Sequence, residues 1–349
     1  MLDITAVPTR VLTCPFPVVS FNVAMPQDAW PLPSPLLLLV GRDRACAVSL
    51  QEHNVFLRKF VPQYHRTLVA GACCMMGRGD GAVLALADAA STVTLHRVHG
   101  MAHDLVPNDS SSGTVFIGDT WDATPRIDCI TAVCSGGCGD VDAVCTRKGE
   151  SDTAWAISFE REEAQRLKLD SSLKRLFPQY CSSLERQHQQ TVSGCFVGAT
   201  QHGVSLFSST TGSTLLHFKL PIGMGHAEAV QASGYGIPWY VVATSCGAAL
   251  VYDQRRADQP VWSKQLCALS SLNSCSNTPV LMTSGSGGVW AIRAAEQLHL
   301  LRCTEGSIVC RSFASQRCLL PPELSAAGLF LTSDVLHIVG GREDQKEEP

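Results

Sequence analysis

The chain repeats one short unit, an apolar strand that ends at a small or glycine-rich turn and is followed within a few residues by a second apolar strand. Apolar runs interrupted in this way by glycine and polar residues predict β-hairpins. Six complete units and a partial seventh lie at residues 37–48, 74–86, 142–157, 195–207, 240–253, 280–292 and 335–344. A chain built from such units is predicted to be all-β.

The spacing of the hairpins restricts the architecture further. Successive units begin about 37 to 55 residues apart, except for a longer step between the second and the third, and a period of this size is typical of propeller blades. A unit of a few short strands cannot bury both faces of its sheet alone, whereas sheets arranged radially cover one another and leave no long exposed edges. We therefore predict a single β-propeller domain over residues 1–349 with about seven blades, and leave six or eight open.

The incomplete last unit indicates how the propeller closes. Residues 335–344 supply one strand and its turn, and the polar residues 345–349 follow. The last blade therefore needs an outer strand from elsewhere, and an N-terminal strand can provide it. Two segments have a suitable apolar pattern, residues 9–13 and residues 18–23.

Two segments depart from the repeat. Residues 100–128 are rich in Asp, Ser and Gly, and we predict a loop insertion with one short strand at 115–117. Residues 160–190 hold the densest charge and many good helix formers, and we predict a short helical insertion over 160–188.

The predicted helix offers candidate partner-binding residues. Leu173, Leu176 and Phe177 would share one face of it. One interpretation is a helix packed on the rim of the propeller, and the other is a docking element, since helix-in-groove contacts use anchors at this spacing. Trp121, in the loop insertion, is a further candidate for partner binding.

Sixteen cysteines would predict disulfides in a small secreted chain. This chain is long, 45% of its residues are hydrophobic, and its N-terminus lacks the basic and apolar segments of an export signal. We therefore predict reduced cysteines that are buried as small apolar residues. A zinc site at Cys129, Cys134, Cys138 and Cys145 is the alternative, although no second Cys or His pair follows at the usual separation.

Charge and hydropathy exclude some classes of partner. The formal net charge is −4, so no overall positive field favours nucleic acid or an anionic membrane as the main partner. A local basic patch at Arg42, Arg44, Arg58 and Lys59 is left open. The apolar run 35–40 is far shorter than the ~20 residues of a membrane span, and we expect an intracellular protein, cytoplasmic or nuclear.

No familiar catalytic motif is present in the sequence. The chain has no phosphate loop, no His-Glu-x-x-His helix and no Gly-x-Ser-x-Gly elbow. His96, His99 and His103 would need a helix to converge, whereas Thr92–Leu95 favours a strand. We expect no catalytic residues, no metal site and no cofactor.

A further repeat joins a strand that ends at Val197-Gly198 to a second strand and to the turn Thr211-Gly212, followed by Leu216, and the next copy has Trp262. This pattern resembles the quinoprotein-type (PQQ-like) propeller repeat, in which Leu216 takes the position of the family's tryptophan. Residues 305–310 and 336–344 are similar to the final repeats of the propeller of aminoadipate-semialdehyde dehydrogenase-like acyl-activating enzymes. Residues 12–50 show a faint similarity to the same propeller. WD-repeat-like propellers are the alternative, with one Trp-Asp pair at 121–122. The resemblance implies the fold without the quinone cofactor.

Two functions follow from these patterns. The first is a non-enzymatic propeller scaffold whose loops mediate protein-protein interactions in a multi-subunit assembly, because binding residues concentrate on loops when the frame is rigid. The alternative is a small-molecule or cofactor-binding quinoprotein-like propeller, or the accessory propeller of an acyl-activating enzyme system, which the resemblance implies.

Overall fold

The computed structural model describes 17 stretches of the 349-residue chain. They are residues 9–24, 36–50, 55–60, 66–75, 81–99, 106–117, 127–133, 141–158, 161–177, 194–232, 239–267, 280–285, 288–294, 297–304, 307–313, 324–331 and 335–342. These residues form strands in seven sheets, and the fold is a seven-bladed β-propeller. The described part contains no helix, so none with the length and apolarity of a membrane span is found there.

Blades 1 to 4 are antiparallel sheets of four strands that are consecutive in the chain. Blade 1 holds β2 (Ser20–Ala24), β3 (Leu36–Val40), β4 (Ala45–Leu50) and β5 (Val55–Phe60). Blade 2 holds β6 (Leu68–Met75), β7 (Gly81–Asp88), β8 (Thr92–His99) and β9 (Val106–Phe116). Blade 3 holds β10 (Ile127–Ala132), β11 (Ala143–Arg147), β12 (Thr153–Ser158) and β13 (Glu163–Lys168). Blade 4 holds β14 (Leu173–Phe177), β15 (Cys195–Thr200), β16 (Gly203–Ser208) and β17 (Thr214–Lys219).

Blades 5 and 6 repeat this order, and blade 7 has three strands. Blade 5 holds β18 (Ala227–Ala232), β19 (Trp239–Thr244), β20 (Ala248–Asp253) and β21 (Trp262–Gln265). Blade 6 holds β22 (Leu281–Gly285), β23 (Val289–Ala294), β24 (Gln297–Thr304) and β25 (Ser307–Phe313). Blade 7 holds β26 (Leu324–Leu331), β27 (Leu336–Arg342) and, from the N-terminus, β1 (Thr9–Cys14).

The central strands of the blades are covered on both faces. Every residue of β3, β11, β12, β20 and β23 is buried. Outer strands such as β13 and β21 instead mix exposed and covered residues. Strands buried on both faces have continuous apolar sequences instead of alternating apolar and polar residues. For this reason the central strands are recognisable in the sequence.

The chain divides into two compact units. Unit 1 comprises Met1–Val18, His202–Val204 and Leu216–Pro349, and unit 2 comprises Val19–Gln201 and Ser205–Leu215. Within unit 2, the inner strands β2, β6, β10 and β14 each contact the next one along the chain, and within unit 1 β18, β22 and β26 do the same. Apolar clusters fill the space between the sheets, for example Val144, Leu167, Leu176 and Phe207 between blades 3 and 4.

The N-terminal strand completes blade 7, as predicted. β1 pairs in parallel with β27, from Thr9 opposite Leu336 to Cys14 opposite Gly341, and β27 pairs antiparallel with β26. The segment 9–13 therefore supplies the closing strand. The other candidate, 18–23, mostly forms β2 of blade 1 instead.

The helical insertion predicted over 160–188 is wrong where the structure describes it. Residues 163–168 are the outer strand of blade 3, each paired with β12, and residues 173–177 are the inner strand of blade 4. Helix propensity is a weak preference that sheet pairing overrides. A turn in which Glu162 has a φ of 54° directly precedes β13. Residues 178–190 lie outside the described residues.

The loop insertion predicted over 100–128 is also corrected in part. Its single short strand at 115–117 is the end of the 11-residue strand β9, which pairs with β8. The insertion also reaches into β10, which begins at Ile127. The hairpin at 74–86 consists of the first and second strands of blade 2. The hairpins predicted in blades 1 and 3 consist of the second and third strands of their blades. The step from the second to the third hairpin is longer for this reason.

Ten of the described cysteines carry reduced thiols, as predicted. Six of them are buried, namely Cys14, Cys46, Cys73, Cys145, Cys267 and Cys303. Burial raises the pKa of the Cys303 thiol to about 12, which keeps it protonated and unreactive at neutral pH.

Titration of the native protein with a thiol reagent, without reductant, is therefore expected to leave these six cysteines unlabelled. Titration in denaturant should label all 16 cysteines of the chain, because the sequence predicts that every one of them is reduced. Peptide mapping by mass spectrometry identifies the labelled positions. Fewer than 16 thiols in the unfolded chain would contradict the reduced state.

Removal of β1 is expected to destabilise the protein. A deletion of residues 1–14 takes away the partner of β27 and the buried Cys14 side chain, and the free energy of unfolding should fall by about 2 kcal/mol or more. Urea denaturation followed by circular dichroism measures the change. A deletion of residues 1–8 leaves β1 intact and is the control, so equal stability of the two deletions would contradict the closure.

Candidate functional site

Two connections meet at one end of blade 3. In a four-stranded antiparallel sheet, the turn between the second and third strands lies at the same end as the connection that leaves the fourth strand. In blade 3 these are residues 148–152 and residues 169–172. The amide of Leu169 donates to the carbonyl oxygen of Asp152 at 2.8 Å, and the amide of Leu173 donates to that of Ser151 at 2.5 Å. Backbone hydrogen bonds therefore fix the two connections against each other.

A cleft of about 430 Å³ opens at this end of the blade. Residues 146–151 and 172–176 line it, together with Asp128 from the start of β10. Its charged side chains are those of Arg147, Lys148, Lys174 and Arg175 against those of Asp128 and Glu150. We call it the basic cleft, because its positive charge is opposite in sign to the net charge of the chain.

A β-bulge places two basic residues side by side in the basic cleft. In the pairing of β14 with β15, Leu173 lies opposite Thr200 and Arg175 lies opposite Ala199, so Lys174 has no partner residue. Regular strands alternate between faces, but the extra residue of a bulge turns the side chains that follow it. Lys174 and Arg175 are consequently both exposed, whereas Leu173 is buried.

The same bulge recurs at the start of other inner strands. Register shifts occur in β6, β10 and β18 after their first residue. The extra residue of the bulge is Val69 in β6, Asp128 in β10 and Glu228 in β18. In three of these four strands, β10, β14 and β18, the extra residue of the bulge is charged.

Arg147 lies at the base of the basic cleft with a side chain that is only 3% exposed. Its Nη1 atom lies 3.1 Å from Oε1 of Glu150, and its Cζ atom lies 5.8 Å from the centroid of the Trp155 ring. In blade 2 the equivalent residue is Asp88, whose Oδ1 accepts hydrogen bonds from the turn amides of Ala90 and Thr92 at 2.8 and 2.9 Å. Arginine has no acceptor for such a turn, and in blade 3 the amide of Glu150 donates instead to the carbonyl oxygen of Arg147 at 3.2 Å.

Two thiols lie beneath the cleft. Burial raises the pKa of Cys129 to about 11, with a further contribution from the carboxylate of Asp128, and burial also raises the pKa of Cys145. Both are protonated at neutral pH, as expected for thiols buried as small apolar groups. Cys134 and Cys138, the other members of the zinc alternative, lie outside the described residues. The described part of the chain shows no group of three or more metal-ligating side chains.

The predicted partner-binding residues are placed differently from the prediction. Leu173, Leu176 and Phe177 lie on β14 with buried side chains, and the two leucines belong to the apolar cluster between blades 3 and 4. A partner would reach them only if the sheets separated, so this placement does not support docking through them. Trp121 lies outside the described residues.

The histidine group is placed on a strand, as predicted. His96 and His99 lie on β8, and burial lowers the pKa of the half-buried His96. His103 lies outside the described residues.

Sequence reasoning missed the basic cleft. Two features of the sequence indicate this cleft. One is the two pairs of adjacent basic residues, Arg147-Lys148 and Lys174-Arg175. The other is a charged residue directly after the first, apolar residue of an inner strand. The first pair was interpreted as an ordinary turn and the second as part of the charged helix. Neither interpretation brings the two pairs together.

Comparison with known proteins supports the fold. No protein-family model matches the chain, and no curated protein matches it at a significant level. Among solved structures it is similar to the Dos1 propeller, with a TM-score of 0.57 and 10% identity over 88% of this chain and 73% of that one. It is also similar to Sqt1 of Saccharomyces cerevisiae, with a TM-score of 0.51 and 10% identity over 93% of this chain and 83% of that one. These likenesses show a propeller, and they do not show the quinoprotein-type or acyl-activating-enzyme resemblance of the sequence.

Gly198 is expected to be necessary for the bulge of β14. A Cβ atom there would lie 1.9 Å from Cδ1 of Leu173 and 3.0 Å from the carbonyl oxygen of Arg175. The leucine side chain can rotate but the carbonyl is fixed by the sheet, so Gly198→Ala should lower the free energy of unfolding by about 2 to 3 kcal/mol. Urea denaturation measures this loss.

The control for this variant is Gly223→Ala. Gly223 has a φ of +88° and no heavy atom within 4 Å of an added Cβ, so its substitution carries only the cost of the backbone conformation, about 1 kcal/mol. A loss at Gly198 no larger than this would show that the close approach does not matter.

Proposed function

We propose that the protein is a non-enzymatic β-propeller scaffold that binds partner proteins through the connections at the ends of its blades, within a multi-subunit assembly. The observation that carries this proposal is the basic cleft. There, a bulge at the edge of a rigid sheet presents Lys174 and Arg175 to solvent next to the turn that holds Lys148. A charged concave surface on a rigid frame is suited to recognition of a partner.

A second connection supports the same role. Residues 221–226 lead from β17 to β18, and their Ile222 side chain is fully exposed. The loop is held by hydrogen bonds from the Met224 amide to the Pro221 carbonyl at 3.2 Å and from the His226 amide to Ser245 Oγ at 3.1 Å. A fixed loop that exposes a large aliphatic side chain loses little entropy when a partner covers it.

We place this scaffold inside the cell, in the cytoplasm or the nucleus. The ten reduced thiols of the described chain suit a reducing compartment. Proteins of a complex are the proposed partners.

The quinoprotein-type resemblance suits a different function, a propeller that binds a small molecule or a cofactor. It predicts that the purified protein retains a quinone or a metal. Absorbance spectra and elemental analysis would detect either one.

Affinity purification followed by mass spectrometry tests the scaffold. Reversal of the exposed charges by K174E together with R175E should remove a reproducible subset of the proteins recovered with the unmodified chain, because the partner meets repulsion in place of attraction. The matched control is R166E together with K168E, which reverses two exposed charges on β13, the outer strand of blade 3. The same proteins recovered from all three forms, with unchanged circular dichroism, would refute binding through the basic cleft.

A further inference from the structure

The lining of the basic cleft defines the chemistry of what it binds. Its four cationic side chains outnumber its two anionic ones, in a chain whose net charge is −4. Lys148, Lys174 and Arg175 are exposed, so a ligand can reach them. The guanidinium of Arg175 also lies 5.8 Å from the centroid of the Phe177 ring. Arg147 is instead covered and balanced by Glu150.

The positions of the three exposed cations suit an extended anionic chain better than a single small ion. Lys148 belongs to the turn between β11 and β12, whereas Lys174 and Arg175 begin β14 in the next blade. The bulge keeps the last two adjacent and both exposed. Carboxylates that alternate along a peptide can pair with cations on both segments, and arginine can hold a carboxylate through two parallel hydrogen bonds.

Nucleic acid fits the basic cleft less well. None of the lining residues is aromatic, and base stacking on aromatic side chains is a main source of affinity for single strands. Asp128 and Glu150 would also repel a continuous phosphate backbone. A peptide can place its neutral residues next to these two carboxylates.

We infer that the basic cleft binds a peptide segment rich in Asp and Glu from a partner protein, and that Lys148, Lys174 and Arg175 recognise its carboxylates. This inference rests on the proposed scaffold function and specifies the chemistry of the partner. Asp128, the exposed bulge residue of β10, lies in the same lining with the opposite charge. It limits affinity and disfavours peptides whose negative charge is continuous.

Fluorescence anisotropy with the full chain tests the inference. The probe is a short fluorescein-labelled peptide in which glutamate alternates with glycine and serine, and the reference probe has glutamine in place of every glutamate. The glutamate peptide should bind the unmodified protein about tenfold or more tightly than the glutamine peptide, and the difference should shrink with increasing salt.

Variants of opposite sign locate the binding. K174E with R175E should weaken binding of the glutamate peptide about tenfold, whereas D128N should strengthen it about two- to threefold, because one repulsive charge is removed. R166E with K168E is the matched control and should leave the affinity unchanged. Circular dichroism and thermal melting establish that each variant is folded. If the double variant does not fold, D128N still tests the effect of charge, because asparagine has the size of aspartate.

Three results would overturn the inference. The glutamate peptide binds no more tightly than the glutamine peptide; or D128N fails to strengthen binding; or a single-stranded oligonucleotide or a phosphoserine peptide of equal length binds more than about tenfold more tightly than the glutamate peptide. If the peptide fails but K174E with R175E still removes partners from the purified complex, the scaffold function stands and only the acidic recognition is wrong. If that variant removes no partner, the scaffold function through the basic cleft fails with it.

Discussion

The structure depends on burial of both faces of the central strands. Each blade has only three or four short strands, and its central strands are covered by neighbouring sheets within the same unit. Apolar side chains on both faces leave such a strand insoluble alone and stable only between neighbours. The same requirement explains the recurrence of similar apolar hairpins along the chain and the use of β1 to complete blade 7.

This packing leaves the strand ends and their connections as the places where charged residues can vary. In the inner strands β6, β10, β14 and β18, a bulge after the first residue creates a position without a cross-strand partner. The residue at that position is Val69 in β6, Asp128 in β10, Lys174 in β14 and Glu228 in β18. The bulge thus recurs while the charge of its extra residue differs from one blade to the next, a variation that the proposed scaffold would use to recognise its partners.

Propensity and tertiary structure disagree most in residues 160–177. Glu163, Arg166 and Lys168 are ordinary helix residues, and the sequence predicted a helix with Leu173, Leu176 and Phe177 on one face. In the sheet, the charged residues are exposed on an outer strand. The three apolar residues are buried, and the two leucines lie in the core between blades 3 and 4. A short charged segment fits both structures locally, so only the availability of β12 and β15 as pairing partners selects the strand.

The sequence by itself determined the all-β class, the blade repeat and closure by one of two N-terminal segments, because apolar runs and turn residues act over a few neighbouring positions. The basic cleft was decided by the tertiary structure. Arg147 and Lys174 come together only after one blade packs on the next, and the exposure of both Lys174 and Arg175 requires a register shift that Gly198 makes sterically possible. Contacts of that kind depend on which strands become neighbours, and local patterns in a single chain do not contain that information.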